Sequence, residues 1–400
     1  MKTTLSSKER ILTAINHQEP DRIPILFDGI APLEHLWKNE FEQVDVLLKL
    51  GVDARLTVGV GSSVHPDVTT RSWVDKNADS GYPLVFQEWY TPKGTIRAVM
   101  RRSDQDGGQY PDGVPLEADQ NVSHGVEMPI KGRDDLPKLA YLLQEPNKED
   151  VAKFRERHKQ LKIFTTERGI LLEAYPGPGV GLDMAYRLCG HNLFYLTVDD
   201  PGFTEELLTI IHRVSLKNLE ILLDAGVDCI VDTNVYQIAP LWSPQYFDKH
   251  FAPRLKQKVD MAHQAGVKYS SRGANNYMPH LDSFLQTGVD VLSQINPELN
   301  DMRVLKAKIG HRICLKGGVH PEHDIELATV SKTRGAVIDA IQAAAQGGGF
   351  ILSTGGSMFP NTTSTKCYDN VMAFIHTGLE FGSYPIDFPA LSEARQKLSV

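Results

Sequence analysis

Cysteine is scarce, with four in 400 residues, at 189, 229, 314 and 367. That spacing excludes a disulfide framework and a zinc ribbon, and it suits a reducing cytoplasm. A surplus of positive charge is lacking too. The formal net charge is -8, which offers nothing to a nucleic-acid backbone or an anionic membrane surface. No apolar run approaches the ~20 residues of a membrane span, and the polar, helix-patterned start has no signal core. A dinucleotide fingerprint is missing as well, since no Gly-x-Gly-x-x-Gly follows the first candidate strand. The remaining composition, 41% hydrophobic and 23% charged, is that of a globular protein in water.

What is present is a repeat. Asp224-Ala225-Gly226-Val227-Asp228 precedes Cys229-Ile230-Val231, and Gln264-Ala265-Gly266-Val267-Lys268 precedes Tyr269-Ser270-Ser271. Gln286-Thr287-Gly288-Val289-Asp290 precedes Val291-Leu292-Ser293, and an earlier copy stands at Leu50-Gly51-Val52-Asp53. Each copy reads as a helix, a glycine stop in the left-handed cap conformation, and a short strand buried on both faces. Further strands are expected at 22–27, 54–60, 169–175, 312–316 and 349–353. The total of eight strands with helices between them predicts an α/β fold, the (β/α)8 TIM barrel. An open doubly wound sheet is the alternative. Residues 64–133 break the rhythm. There, 85–90 and 95–101 flank Thr91-Pro92-Lys93-Gly94 as a β-hairpin. The expectation is a single domain over 1–400, with 64–133 inserted after strand two and lying over the barrel mouth.

Several stretches resemble the uroporphyrinogen decarboxylase superfamily. Lys8-Glu9-Arg10-Ile11-Leu12 with Glu19-Pro20-Asp21-Arg22-Ile23-Pro24 resembles its amino-terminal signature. Leu241-Trp242-Ser243-Pro244-Gln245-Tyr246-Phe247 and Lys316-Gly317-Gly318-Val319-His320-Pro321 resemble two later signatures. Asp183-Met184-Ala185-Tyr186 stands where the decarboxylases place a catalytic tyrosine. The resemblance implies the barrel, and either of two chemistries: porphyrinogen decarboxylation, or methyl transfer to or from corrinoid proteins. The decarboxylases carry Arg-Gln-Ala-Gly-Arg after the first strand, where this chain has Phe27-Asp28-Gly29-Ile30-Ala31. Their late histidine is replaced by Thr354-Gly355-Gly356-Ser357. An aspartate in place of those arginines would repel a polycarboxylate. The hairpin Glu88-x-x-Thr91-Pro92-x-Gly94-Thr95 and Pro129-Ile130-Lys131-x-x-Asp134-Asp135-Leu136 resemble the methyltransferase branch. Its thiol-activating members hold zinc through His-x-Cys-Gly at strand five and a cysteine near strand eight. Here those places read Ser270-Ser271-Arg272-Gly273 and Gly355-Gly356-Ser357, so no zinc is expected at the family position.

In a barrel the polar groups at the carboxyl ends of strands are the default site. They are Asp28, Glu173, Asp232, Asn234, Arg272, Asn275 and His320. Each acid could equally cap a helix or pair with an arginine. Asp28, Asp232, Tyr186 and His320 are the catalytic candidates, His320 for its near-neutral pKa. Glu173, Tyr175, Asn234, Arg272 and Asn275 are the substrate-binding candidates, Arg272 as a two-pronged clamp for a carboxylate. The resulting expectation is a cytoplasmic methyltransferase that demethylates a small donor, an aryl methyl ether or a methylamine. A corrinoid (cobalamin) on a partner protein takes the methyl group. The alternatives are a decarboxylase or lyase on another carboxylate, and a binder without turnover. The oligomeric state stays open, a homodimer included.

Overall fold

The computed structural model of the protein describes residues 4–76, 81–102, 114, 116, 125–177, 182–233, 235, 238–358 and 365–398. Its chain groups into two units, one of residues 1–58, 155–175 and 225–400, the other of 59–154 and 176–224. No helix among the described residues is long and apolar enough to cross a membrane.

The first unit is a (β/α)8 barrel. Seven parallel strands pair in chain order: Arg55–Gly59, Leu171–Tyr175, Cys229–Thr233, Lys268–Arg272, Val291–Ile295, Cys314–Val319 and Phe350–Thr354. The eighth position belongs to residues 24–26. Ile25 bridges Leu352 in parallel, and its carbonyl accepts the Asp53 N–H at 2.8 Å. This piece is too short for a full strand because Pro24 has no N–H to give to the ladder. The Asp53 carboxylate completes the join by accepting the Ile25 N–H at 2.9 Å. Arg10 and Arg22 hold that carboxylate, and Arg10 also grips Asp21. The charged part of the amino-terminal signature therefore builds the closure of the barrel.

The glycine stops behave as read. Gly51, Gly226, Gly266 and Gly288 have φ of 77°, 80°, 72° and 78°, a region where a Cβ is disfavoured. Ser6 and Glu9 form a full capping box on the helix Ser7–Ile15. That helix lays Ile11, Ala14 and Ile15 against Leu26, Leu171, Cys229, Val231, Val291, Cys314 and Ile351, the apolar filling of the barrel.

Three of the stretches between strands carry two helical segments each. Residues 32–50 split into a 3-10 turn Ala31–Leu36 and the helix Glu40–Lys49, which Asn39 caps by accepting two backbone N–H groups. Residues 245–264 split into Pro244–His250 and Ala252–Gln264, because Pro253 cannot donate within a continuing helix. Residues 322–345 split into a π-helical turn Glu322–Glu326 and the helix Val330–Ala344, capped by Thr329.

The second unit contains a four-stranded antiparallel sheet, Thr69–Asp75, Leu84–Thr91, Gly94–Arg101 and Gly125–Glu127. The expected hairpin is its centre, with Thr91 paired to Gly94 across Pro92-Lys93. Thr69–Asp75 escapes a sequence reading because most of it is exposed and no apolar alternation marks it. Residues 104–113, polar and glycine-rich and therefore read from the sequence as a loop, lie outside the described residues.

Candidate active site

Strand parity places the charged groups. Ser270 and Val231 face the barrel interior, where they line a cavity of about 10 Å³ with Asp28, Glu173, Ser293 and Lys316. That volume is barely enough for one water. Arg272 and Thr233 stand two residues further along their strands, hence on the same inner face toward the carboxyl ends. A layer of charge results. Asp28 Oδ1 accepts from Lys316 Nζ at 2.5 Å and from Arg55 Nη2 at 2.8 Å. Arg55 Nε meets Glu173 at 2.5 Å. Arg272 Nη2 donates to Thr233 Oγ1 at 2.9 Å. The other Asp28 oxygen is buried with no hydrogen-bond partner among the described residues.

Burial disfavours the Asp28 anion, but Lys316, then Arg55 and Arg272, outweigh it and hold the carboxyl well below the usual range. Asp28 is therefore an anion in use and not an acid with a proton to give. Burial pulls the Lys316 ammonium down despite Asp28 beside it. The layer lies directly over the apolar filling and forms the floor of the barrel mouth.

Of the expected residues, Asp28, Glu173 and Arg272 come together here. Asp232 does not join them. It follows Val231, so it points the other way, out through the barrel wall. There it accepts from Lys258 Nζ at 2.9 Å and from Tyr269 Oη at 2.6 Å, with Lys258 and Asp232 both fully buried. Asn275 donates to the Val235 carbonyl and accepts from Asn300 Nδ2 at 2.8 Å, tying neighbouring loops at the strand ends. Tyr175 ends its strand half-buried. Asn234 lies outside the described residues.

His320 sits in a cluster with Glu298 and His323, whose ligand-type atoms lie within 4.8 Å of one another. Its Nδ1 accepts the N–H groups of Glu322 and His323 at 3.2 and 3.1 Å. The ring proton therefore sits on Nε2, 3.5 Å from Glu298 Oε2. A metal at Nε2 would need that proton on Nδ1, where two donors already point. The cluster is a hydrogen-bonded bracket between two loops. His323 meets Glu298 at 2.5 Å, and that hydrogen bond, with the charge of Glu298, raises the His323 pKa above 6.5. A raised folded-state pKa means the stabilising contribution is complete below 6.5 and fades as pH climbs through the folded value. Proton NMR should find His323 titrating above 6.5, and Glu298→Gln should bring it down; an unshifted His323 would contradict the bracket.

Tyr186 belongs to the second unit, on the helix Leu182–Cys189. Its hydroxyl lies 3.2 Å from His191 Nε2, and its ring packs near Phe194. Burial raises its pKa, so the phenol keeps its proton near neutrality.

Arg55, Lys316, Lys258 and Glu298 were not among the residues singled out from the sequence. A lysine inside the apolar run Ile313-Cys314-Leu315-Lys316 was the available sign for Lys316. Leu255, Lys258, Val259 and Ala262 share one buried helix face, which was the sign for Lys258.

The donor set at the strand-five position does not suit zinc. Ser270 Oγ lies 3.4 Å from Ser293 Oγ, and the Arg272 guanidinium has no lone pair to offer. Cys229 and Cys314 lie in the apolar filling, where burial pushes both thiols up, Cys314 to about 12. Protein purified without chelators is expected to carry no stoichiometric zinc at this position. Elemental analysis showing one zinc per chain, lost on replacing Ser270 or Arg272, would overturn that expectation.

Comparison with known proteins bears on the same elements. Residues 184–378 match the family described as uroporphyrinogen decarboxylase (URO-D). That stretch, just under half of the chain, is what the chain shares with the URO-D family. The matched region contains Arg272 and Lys316 of the charged floor, together with Asp232, His320 and Tyr186, which lie elsewhere. No curated protein sequence matches the chain. Among solved structures, a methyltransferase from Methanosarcina mazei superposes with a TM-score of 0.59 at 17% identity, covering 94% of this chain and 99% of that one. D-psicose 3-epimerase from Clostridium cellulolyticum H10 matches with a TM-score of 0.38 at 12% identity, over 56% of this chain and 83% of that one. At 17% identity the likeness to the methyltransferase concerns the fold.

Proposed function

We propose that this protein, similar over residues 184–378 to the URO-D family, removes a methyl group from a small methylated donor and passes it to a corrinoid carried by a partner protein. The donor is an aryl methyl ether or a methylamine. The observation that carries this reading is the charged floor of the barrel mouth. Hydroxyls and a guanidinium occupy the places where thiol-activating relatives would hold metal, so a thiol acceptor lacks its activating ion. The likeness in fold to a Methanosarcina mazei methyltransferase supports the choice of methyl transfer.

In the forward step the carbon–oxygen or carbon–nitrogen bond breaks. A reduced corrinoid on the partner protein would supply the electron pair that takes the methyl group. The leaving oxygen or nitrogen keeps the bonding pair and takes up one proton where the donor calls for it. Lys316 is the proton-bearing group of the floor best suited to give it, since burial weakens its hold on that proton. Asp28 keeps Lys316 in place. Mixing the purified protein with reduced cobalamin and candidate donors, and following the methylcobalamin spectrum, tests the proposal. Silence across phenyl methyl ethers, methylamines and methyl thiols would sink it. The second reading, a decarboxylase on a small carboxylate, draws on Arg272, and carbon dioxide release without any corrinoid would identify it.

A further inference from the structure

We infer that Arg272 holds an anionic group of the substrate, and that this group is a carboxylate. The inference rests on the barrel mouth being the donor site, as proposed above. Among the described residues the layer there has three cations, Arg55, Arg272 and Lys316, and two anions, Asp28 and Glu173. One positive charge is left over, and the hydrogen bonds say where it is. Asp28 takes both Lys316 and Arg55, while Glu173 takes Arg55. Arg272 has a single hydrogen bond among the described residues, to the neutral Thr233 hydroxyl. A guanidinium has five N–H donors in a flat fork, so most of this one is unspent.

Its position adds to the case. Arg272 is the last residue of its strand and half-buried on the inner face. The space beneath it is about 10 Å³, so no ligand group can pass below. Partial burial also spares such a pair the full screening of water. A carboxylate fits better than a phosphate. It matches the fork bidentately and brings one negative charge against a surplus of one. A phosphate dianion would overshoot that surplus next to Asp28 and Glu173.

Calorimetric titration of the full chain without corrinoid tests this, using 4-methoxybenzoate, 4-methoxybenzyl alcohol and 4-methoxyphenyl phosphate. The benzoate should bind about tenfold tighter than the alcohol, and the phosphate no better than the alcohol. Arg272→Gln should erase the preference, and Arg272→Lys should restore only part of it. The wild-type comparison decides the matter even if a variant folds poorly. Equal affinities for benzoate and alcohol, no binding of either, preference for the phosphate, or a preference that survives in Arg272→Gln would each overturn the inference. Benzoate binding without methyl transfer would keep Arg272 in this role and remove the transfer reading. Transfer from uncharged ethers with no carboxylate preference would do the reverse.

Discussion

Lys258→Met should destabilise the barrel by about 3–5 kcal/mol, the usual cost of stripping one partner from a buried ion pair. Lys258 and Asp232 are both fully buried between a strand and its covering helix. Burial lowers the Lys258 pKa against the pull of Asp232, the mark of a cation far from water. Removing it leaves the Asp232 carboxylate with Tyr269 as its remaining identified donor. The double variant Asp232→Leu with Lys258→Met should recover most of the loss, because two apolar groups can share the space that a lone charge cannot. Urea unfolding of the two single variants and the double variant measures this directly. A double variant as unstable as the sum of the singles would contradict a structural role. If the double variant is stable but inactive, Asp232 belongs to the chemistry after all.

Lys316→Met should lower methyl transfer by about 10²–10⁴-fold, the range for losing a positioned acid. Lys316→Arg is the sharper test. It keeps the positive charge beside Asp28 but cannot release a proton near neutrality. The expected result is a folded protein that still binds donor and transfers methyl as poorly as Lys316→Met; full activity in Lys316→Arg would remove Lys316 from the proton step. Acid should dissolve the same pair. The Asp28 carboxyl is depressed in the folded chain, so its stabilising effect is complete above the unfolded value of 3.8 and is lost as pH falls below it.

The sequence was legible where backbone geometry leaves a residue signature. Gly226, Gly266 and Gly288 had to be glycines because the chain turns through positive φ there, so the helix-to-strand rhythm could be counted. The short first strand was harder, since a side chain, Asp53, does part of the ladder's work. At the site, Asp28, Glu173 and Arg272 meet on the inner side, whereas Asp232 points outward. Val231 and Asp232 differ by one residue, and only the register decides which of them points inward. The lysine in the apolar run marked Lys316, but a charged residue in a strand carries no label for the partner it meets in the barrel. That partner, Asp28, lies 288 positions from Lys316.

The most direct test follows a labelled methyl group. A donor with a ¹³C methyl, reduced cobalamin and the protein are incubated together and observed by ¹³C NMR. The account predicts that the label leaves the donor and appears on cobalt in equal amount, with the demethylated donor formed alongside. Label that stays on the donor while its carboxyl carbon is released as carbon dioxide would contradict methyl transfer and establish the decarboxylase reading instead.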